Sequence, residues 1–191
     1  AYEVFTKIAP ELQIENPASE YEIYPVTDKF SGTLASKSGY RKANDTIEIY
    51  IPKNVKNDYV VYYPDEQRKT ASMYESDRLE QKDKYEVFFG GNHALVDITT
   101  TCEQERCLLL FKDSYANSFV QFLTPYFREI VMVDPRYYYE DIENVISSKR
   151  VTDVLFLYNI NTFLGDNSLA DVLVTEMDDQ ENETEEQSNE I

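Results

Sequence analysis

The sequence has 191 residues, of which 42% are hydrophobic and 14% aromatic, and a formal net charge of −18. This composition is sufficient to bury a core and excludes collagen-like and largely disordered chains. No apolar run approaches the roughly 20 residues of a membrane-spanning helix. The acidic chain also lacks the clustered lysine and arginine residues that bind the phosphates of nucleic acids. We therefore expect a globular protein that neither spans a membrane nor binds nucleic acid.

The opening residues suit the tail of a helix rather than a leader sequence. They contain no initiator methionine and neither the basic nor the apolar segment of a signal peptide. We therefore predict that the chain begins within a longer gene product. Apolar side chains at Val4, Phe5, Ile8 and Leu12 have the spacing of one helix face, which predicts a helix that ends near Pro10.

The rest of the first half contains short runs of β-branched and aromatic residues, which are typical of strands. A polar stretch, residues 75–84, interrupts these runs and predicts a short helix. We therefore predict that residues 1–101 form a helix and an irregular β-rich insert. The predicted strands of this part are residues 21–26, 46–51, 59–63 and 94–99.

In residues 102–175, short apolar runs alternate with helical patterns. This alternation is typical of right-handed βαβ units, whose parallel sheet is covered by helices on both faces. We therefore predict an α/β fold, with a βαβαβ parallel-sheet core over residues 102–175 and a single domain over residues 1–175. The predicted strands are residues 107–112, 130–134 and 154–158, and the predicted helices are residues 115–127 and 139–149.

The last segment, residues 176–191, contains eight acidic residues and no basic residue. It offers almost no apolar surface to a core, and its like charges repel one another. We therefore predict a disordered acidic tail that can be removed without loss of stability.

Polar residues follow each apolar run of the second half, at the strand ends where open parallel sheets bind ligands. Ser114 is the candidate nucleophile, because backbone N–H groups and the helix dipole at such a junction stabilise an oxyanion. Asp113 is a candidate for substrate binding at the same junction. Alternatively, Asp113 or Ser114 only caps the next helix. Asn159 and Asn161 are candidate oxyanion donors, or else residues of an Asx turn. We predict that the Ser114 and Asn161 side chains lie within about 8 Å across a shared cleft.

A serine nucleophile needs a base, and His93 is the one histidine of the sequence. His93 follows Asn92 in a loop, and its role is either catalytic or structural. Asn92, His93 and Arg136 are candidates for lining the site. A single histidine without a second cysteine pair does not suit a zinc site, and we predict neither a metal nor a cofactor.

Four segments together resemble the bacterial DHHW protein family: FFGGN at 88–92, LLLFKDSYANS at 108–118, VDPRYY at 133–138 and DVLFLYNINTF at 153–163. This family is similar to the alginate O-acetyltransferase-like branch of SGNH hydrolases. The resemblance implies an SGNH/flavodoxin-like core. Ser114 matches the nucleophile of the Gly-Asp-Ser block, with Lys112 in place of the glycine. Asn161 matches the oxyanion asparagine, with Asn159 in place of a glycine.

The resemblance also places the catalytic base before Ala1. The related enzymes carry an Asp-x-His motif upstream of the serine, and the present chain resembles the family from just after its Asp-His-His-Trp segment. The sequence is then expected to supply the nucleophile and the oxyanion donors without the histidine and aspartate. Such a chain would be nearly inert as an esterase, because removal of a triad base lowers the rate by orders of magnitude.

The function implied is that of an extracytoplasmic O-acetyltransferase or esterase, with Ser114 attacking O-acyl groups of cell-surface carbohydrate. The rival interpretation is a non-catalytic carbohydrate-binding or cell-surface module with the same fold. It is motivated by 16 tyrosines and 10 phenylalanines, among them Tyr137, Tyr138 and Tyr139, whose rings either stack on sugars or belong to the core.

Two cysteines, Cys102 and Cys107, flank four residues between two strand-like runs. They form a disulfide if their Cα atoms lie within about 7 Å, and otherwise they remain two free thiols. The extracytoplasmic location implied by the resemblance would permit the disulfide.

Overall fold

The computed structural model describes residues 1–39, 45–56 and 58–174. The predicted acidic tail, residues 176–191, lies outside the described residues. The helices are α1 (Tyr2–Ile8), α2 (Thr33–Ser38), α3 (Ile142–Lys149), α4 (Ile160–Gly165) and α5 (Ser168–Leu173). The strands are β1 (Tyr21–Phe30), β2 (Asp45–Pro52), β3 (Tyr59–Tyr63), β4 (Arg68–Thr70), β5 (Leu95–Thr100), β6 (Cys107–Lys112), β7 (Glu129–Val133) and β8 (Asp153–Leu157).

The fold is mixed α/β, and a strand lies at each of the seven predicted positions. β4 is too short and polar to show in the hydrophobic pattern. β6 is buried along its whole length, and its alternate side chains face opposite sides of the sheet. Leu108 and Leu110 pack into one apolar cluster, whereas Cys107, Leu109 and Phe111 pack into another. The continuous apolar run is thus explained by a strand with a core on both faces.

The main sheet has six strands in the order β4-β3-β5-β7-β6-β8. β7, β6 and β8 are mutually parallel, as predicted for the second half. β5 runs antiparallel to β7, and β3 runs antiparallel to β5 and β4, so the sheet as a whole is mixed. The prediction that the β-rich first half is an insert beside the sheet is therefore wrong for β3, β4 and β5. Among the described strands, β1 and β2 form a separate antiparallel pair.

The prediction that helices cover both faces of the sheet fails at β8. This strand lies at the edge of the sheet, and its pattern alternates between half-buried and exposed side chains. Val154 and Phe156 are each 49% exposed, whereas Leu155 and Leu157 pack against the larger apolar cluster. An edge strand therefore carries the same residue types as a central one, but it buries only one face.

The helix predicted for residues 115–127 is replaced by two short 3-10 helices, Ser114–Ser118 and Val120–Phe122. From residue 119 to residue 127 every side chain is buried, so the segment does not present a single apolar stripe, although Tyr115 is exposed. Its aromatic residues are poor helix formers, and Pro125 lacks the N–H that a continuing helix needs. Two 3-10 helices, Ser76–Glu80 and Lys84–Val87, also replace the helix predicted for residues 75–84.

The start of the chain packs into the larger cluster through an aromatic group. Phe5 on α1 stacks on Phe122 and Tyr126, with ring centroids 5.6 and 5.9 Å apart. Burial of one such ring stabilises the fold by about 2 to 3 kcal/mol. In the described part of the chain, no helix is both long and apolar enough to cross a membrane.

The disulfide considered for Cys102 and Cys107 is not formed, and both cysteines are free. The two flanking strands, β5 and β6, are not neighbours, because β7 lies between them. The end of β5 and the start of β6 are therefore two strand spacings, about 10 Å, apart. Cys107 instead packs among the apolar residues of the second cluster.

Candidate functional site at the strand ends

The strand register brings the candidate residues to one edge of the sheet. Phe111 pairs with Val133, and Lys112 pairs with Leu157, so β6, β7 and β8 end at nearly the same level. Because β5 runs in the opposite direction, its first residue, Leu95, also pairs with Val133. The loop before β5 therefore reaches the edge at which the three parallel strands end. This is the position at which open α/β sheets bind their ligands.

Asp113 joins the ends of β6 and β8. Its side chain is buried, and its Oδ1 accepts the backbone N–H of Tyr115 at 2.9 Å, as an N-cap does. Its Oδ2 accepts the backbone N–H of Asn159 at 2.9 Å. One carboxylate thus fixes both the turn that carries Ser114 and the residue that follows β8 by two positions.

Ser114 begins the 3-10 helix but does not cap it, since Asp113 does so. Its side chain is half-buried. The Arg136 guanidinium donates to its Oγ from Nη2 at 3.3 Å, and the residues that the structure describes give the hydroxyl no other partner. The hydroxyl is therefore held at the edge of the sheet by a cation.

A buried carboxylate, Asp134, holds two cations at the end of β7. Arg136 Nε donates to Asp134 Oδ1 at 2.8 Å, and Arg136 Nη2 donates to Oδ2 at 2.6 Å. Lys112 Nζ, which is also buried, lies 3.3 Å from the same Oδ2. Burial lowers the pKa of Lys112, and Asp134 partly offsets this effect. Hydrogen bonding to Asp134 raises the pKa of Arg136, which therefore stays protonated.

Asn92 extends this polar network from the loop before β5. Its Oδ1 lies 3.5 Å from Lys112 Nζ and 3.5 Å from Asn117 Nδ2. Asn117 also donates to the carbonyl of Gly91 at 3.2 Å. Gly91 has φ of 126°, a conformation that favours glycine. Asn92, which was predicted to line the site, thus lies in this network. Asn117 and the buried Lys112 were not predicted as members of it.

Asn159 and Asn161 lie at the start of α4. Asn159 Oδ1 accepts the backbone N–H of Asn161 at 2.8 Å and so caps the helix. This contact is the Asx arrangement that was the alternative to an oxyanion role. Asn161 is exposed in the first turn. Its approach to within about 8 Å of Ser114 stays a prediction.

His93 contacts Phe89, Glu66 and Tyr63. With a carbonyl as partner, Nε2 donates to Phe89 O at 2.8 Å, and Nδ1 lies 3.8 Å from Glu66 Oε1. The His93 ring packs 4.7 Å from that of Tyr63. These contacts favour the structural role over that of base to Ser114. Among the described residues, no group of three metal-ligating side chains is arranged to hold a metal ion.

A cleft of about 720 Å³ adjoins Arg136. Of the three consecutive tyrosines, Tyr138 is buried, whereas Tyr137 is exposed and Tyr139 is 88% exposed. The Tyr139 ring therefore belongs to the surface and not to the core. The cleft is lined by residues that include Tyr138, Tyr139, Asp141, Asp171 and Val172.

The fold and the strand-end cluster describe a mixed α/β protein with a half-buried serine at the edge of the sheet where its parallel strands end. No family model and no curated protein matches the sequence. A solved DHHW family protein from Eubacterium siraeum is similar, with a TM-score of 0.72 and 26% identity over 87% of this chain. PatB1 from Bacillus cereus is similar in fold, at 19% identity and a TM-score of 0.66 in a structure with a sulfonyl adduct. A second PatB1 structure gives 21% identity and a TM-score of 0.62.

Each PatB1 match covers 86% of the present chain. The present chain, however, spans less than two thirds of the length of each neighbour. It covers 57% of the DHHW family protein and 56% and 58% of the two PatB1 chains. Four sequence segments suggested a resemblance to the DHHW family, and the fold of the chain is also similar to that of a solved member of this family.

Proposed function

We propose that this chain forms the nucleophile half of an SGNH-hydrolase-like acyl-transfer site, in an extracytoplasmic O-acetyltransferase or esterase that acts on cell-surface carbohydrate. The observation that carries the proposal is the Ser114 hydroxyl at the carboxyl edge of the parallel strands. It takes no part in capping and accepts a hydrogen bond from Arg136. A hydroxyl that caps no helix, at the sheet edge where open α/β proteins bind ligands, is suited to nucleophilic attack.

In the proposed reaction, Ser114 Oγ attacks the acyl carbonyl carbon and forms an acyl-enzyme. The backbone N–H of Ser114 and the Asn161 side chain stabilise the oxyanion. The base is an imidazole, held by a carboxylate, from an Asp-His pair upstream of this sequence. His93 does not suit this role, because it is engaged with Phe89 and Glu66. Transfer of the acyl group to a sugar hydroxyl gives an acetyltransferase, and transfer to water gives an esterase.

The solved neighbours support this proposal at the level of fold. The PatB1 structure contains a sulfonyl adduct, and sulfonyl reagents react with activated nucleophiles of the kind proposed for Ser114. A fold of this class is therefore compatible with a reactive nucleophile.

The test measures covalent modification of the 191-residue chain by phenylmethanesulfonyl fluoride, with imidazole added as an external base. Intact-mass and peptide analysis are expected to locate one sulfonyl group on Ser114. Ser114→Ala should abolish the modification. Ser118→Ala is the matched control, because Ser118 lies in the same 3-10 helix but its hydroxyl is bonded to Tyr85 at 3.1 Å. Modification that is equal in wild type and Ser114→Ala would reject the nucleophile.

A second function, carbohydrate binding without catalysis, is favoured by the exposed Tyr139 beside the cleft. An exposed aromatic face stacks on the apolar face of a sugar ring. In this case, binding to acetylated and unacetylated polysaccharide would be lost in Tyr139→Ala and retained in Ser114→Ala. Calorimetric titration with both polymers distinguishes this function from acyl transfer, for which Ser114→Ala abolishes turnover of a chromogenic acetyl ester.

A further inference from the structure

We propose that Arg136 is a catalytic residue of this site, whose guanidinium positions the Ser114 hydroxyl and then binds the oxyanion of the tetrahedral intermediate. The inference rests on the proposed acyl transfer at Ser114. It adds a charged side-chain donor to the backbone and amide donors of that site.

The orientation of Arg136 is fixed by Asp134. Two adjacent nitrogens of the guanidinium, Nε and Nη2, bond the two carboxylate oxygens, at 2.8 and 2.6 Å. Such a two-point pair holds the planar group in one orientation. Nη2 also reaches Ser114 Oγ at 3.3 Å. Nη1 has no acceptor among the described residues, so its two N–H groups remain available to a substrate.

Asp134 and Lys112 act as positioning residues behind this guanidinium. Lys112 Nζ lies 3.3 Å from Asp134 Oδ2, the oxygen that also accepts from Arg136 Nη2. One buried carboxylate is therefore shared between two cations, and the buried carboxylate of Asp113 also acts on both of them. The cluster thus has two cations and two carboxylates, and it is the fixed guanidinium donors, not a net charge, that are available to a substrate oxygen that becomes negative.

The distance to Ser114 suits the chemical step. As Oγ bonds to the acyl carbon, the electron pair of the carbonyl π bond moves to its oxygen, and the serine proton passes to imidazole. Oγ and the new oxyanion are then bonded to the same tetrahedral carbon. A donor 3.3 Å from Oγ needs only a small shift to lie about 3 Å from the oxyanion. Collapse of the intermediate re-forms the carbonyl and expels the alcohol, which takes the proton from imidazolium.

If the ion pair of Arg136 with Asp134 were purely structural, substitution of Arg136 would change the stability of the protein but not the reactivity of Ser114. We therefore compare Arg136→Met with Arg78→Met, using the 191-residue chain, 4-nitrophenyl acetate and imidazole. Arg78 is a suitable control, because it is also paired with carboxylates, Glu75 and Glu86, and its side chain is 35% exposed against 26% for Arg136. The measured quantity is the hydrolysis rate after subtraction of the Ser114→Ala background, from pH 6 to 9.

Arg136→Met is expected to lower the Ser114-dependent rate about 100-fold, mainly in kcat, and methylguanidinium is expected to restore part of it. The pH profile should keep its wild-type form, because free imidazole, and not Arg136, accepts the serine proton. Arg78→Met should stay within about 2-fold of wild type. If circular dichroism shows that Arg136→Met is unfolded, Arg136→Lys replaces it, with an expected loss of at least 10-fold.

Wild-type rates in the folded Arg136 variant, with Ser114→Ala inactive, would overturn the role of Arg136 and leave the nucleophile intact. No difference between wild type and Ser114→Ala would overturn both proposals. A loss in the folded variant that methylguanidinium does not restore would assign Arg136 a structural role only.

Discussion

The carboxylate of Asp113 accepts the backbone N–H of Asn159 at 2.9 Å, across the boundary between the ends of β6 and β8. Its other oxygen caps the 3-10 helix that begins at Ser114. Asp113 was considered as a helix cap or as part of the site, and its contacts show that it serves as a cap and as a link between strands. The position of Ser114 relative to β8 depends on this side chain.

We predict that Asp113→Ala lowers the free energy of unfolding by about 3 kcal/mol, because it removes a cap and leaves the Asn159 N–H without its acceptor. Asp113→Asn keeps one side-chain oxygen and should lose only about 1 kcal/mol. Urea denaturation of both variants measures the difference. Equal midpoints for wild type and Asp113→Ala would show that neither contact contributes to stability.

The protein is expected to lose stability above pH 10. Burial, together with the nearby Glu140 and Asp141, raises the pKa of Tyr138 to about 12 from its ordinary value of 10.0. Unfolded Tyr138 therefore loses its proton at a lower pH than folded Tyr138, and the unfolded state is favoured as pH rises from 10 to 12. The loss due to this residue is on the order of 2 kcal/mol and is absent below pH 10.

Tyr138→Phe tests this pH dependence. The variant should unfold more easily than wild type at pH 8, since it loses the hydrogen bond to Asp141 O, but its stability should fall less steeply between pH 10 and 12. Tyr139→Phe, which alters a neighbouring exposed ring, should retain the wild-type slope. Urea denaturation midpoints at four pH values between 8 and 12 measure this difference. An equally steep fall of the midpoint with pH in wild type and Tyr138→Phe would contradict the expectation.

The two cysteines should react differently with iodoacetamide. Cys107 is buried in the second cluster, and burial raises its pKa to about 12, whereas Cys102 lies in a half-exposed loop. We predict that Cys102 is alkylated in the native protein and that Cys107 is alkylated only after unfolding. Peptide mass analysis measures both sites. Two unreactive cysteines in the unfolded, unreduced protein would instead indicate a disulfide.

Truncation after Val174 is predicted to leave the unfolding midpoint unchanged within error. The removed residues include the eight acidic side chains from Glu176 onward, and a sequence of this kind offers a core little apolar surface. Thermal unfolding of both chains at low and high salt measures the effect. A midpoint lowered by several degrees would show that the tail packs against the fold.

The strands were predictable because short apolar runs allow few alternatives. The alternating clusters of β6 and the shared edge of β6 and β8 follow from that pattern and from the chirality of βαβ units. The reversed direction of β5 did not follow, because Leu95–Thr100 has the same residue types whichever way it runs. Pairing partners are set by the whole sheet and not by the local sequence.

The site was predictable only where it depends on strand ends. The positions of Ser114 and Arg136 at strand ends were predicted from the apolar runs. The hydrogen bond between them was not predicted, because it depends on the turn after each strand. Lys112 was treated as the polar end of an apolar run, and yet it is buried. Its partner, Asp134, lies 22 residues further along the chain, so no local pattern reveals that the lysine charge is compensated.

The strand order has a consequence for how the molecule is made. β6 pairs with β7 and β8, and both strands follow it in the sequence. As the chain is synthesised, β6 can pair its first edge only when β7 (Glu129–Val133) has been made and its second edge only when β8 (Asp153–Leu157) has been made. An unpaired apolar strand of this kind is the species that chaperones bind and that aggregates at high expression. Ser114 and Asp113 therefore reach their final positions only with β8, so slow synthesis or early termination between β6 and β8 yields chains with neither a closed core nor the strand-end cluster.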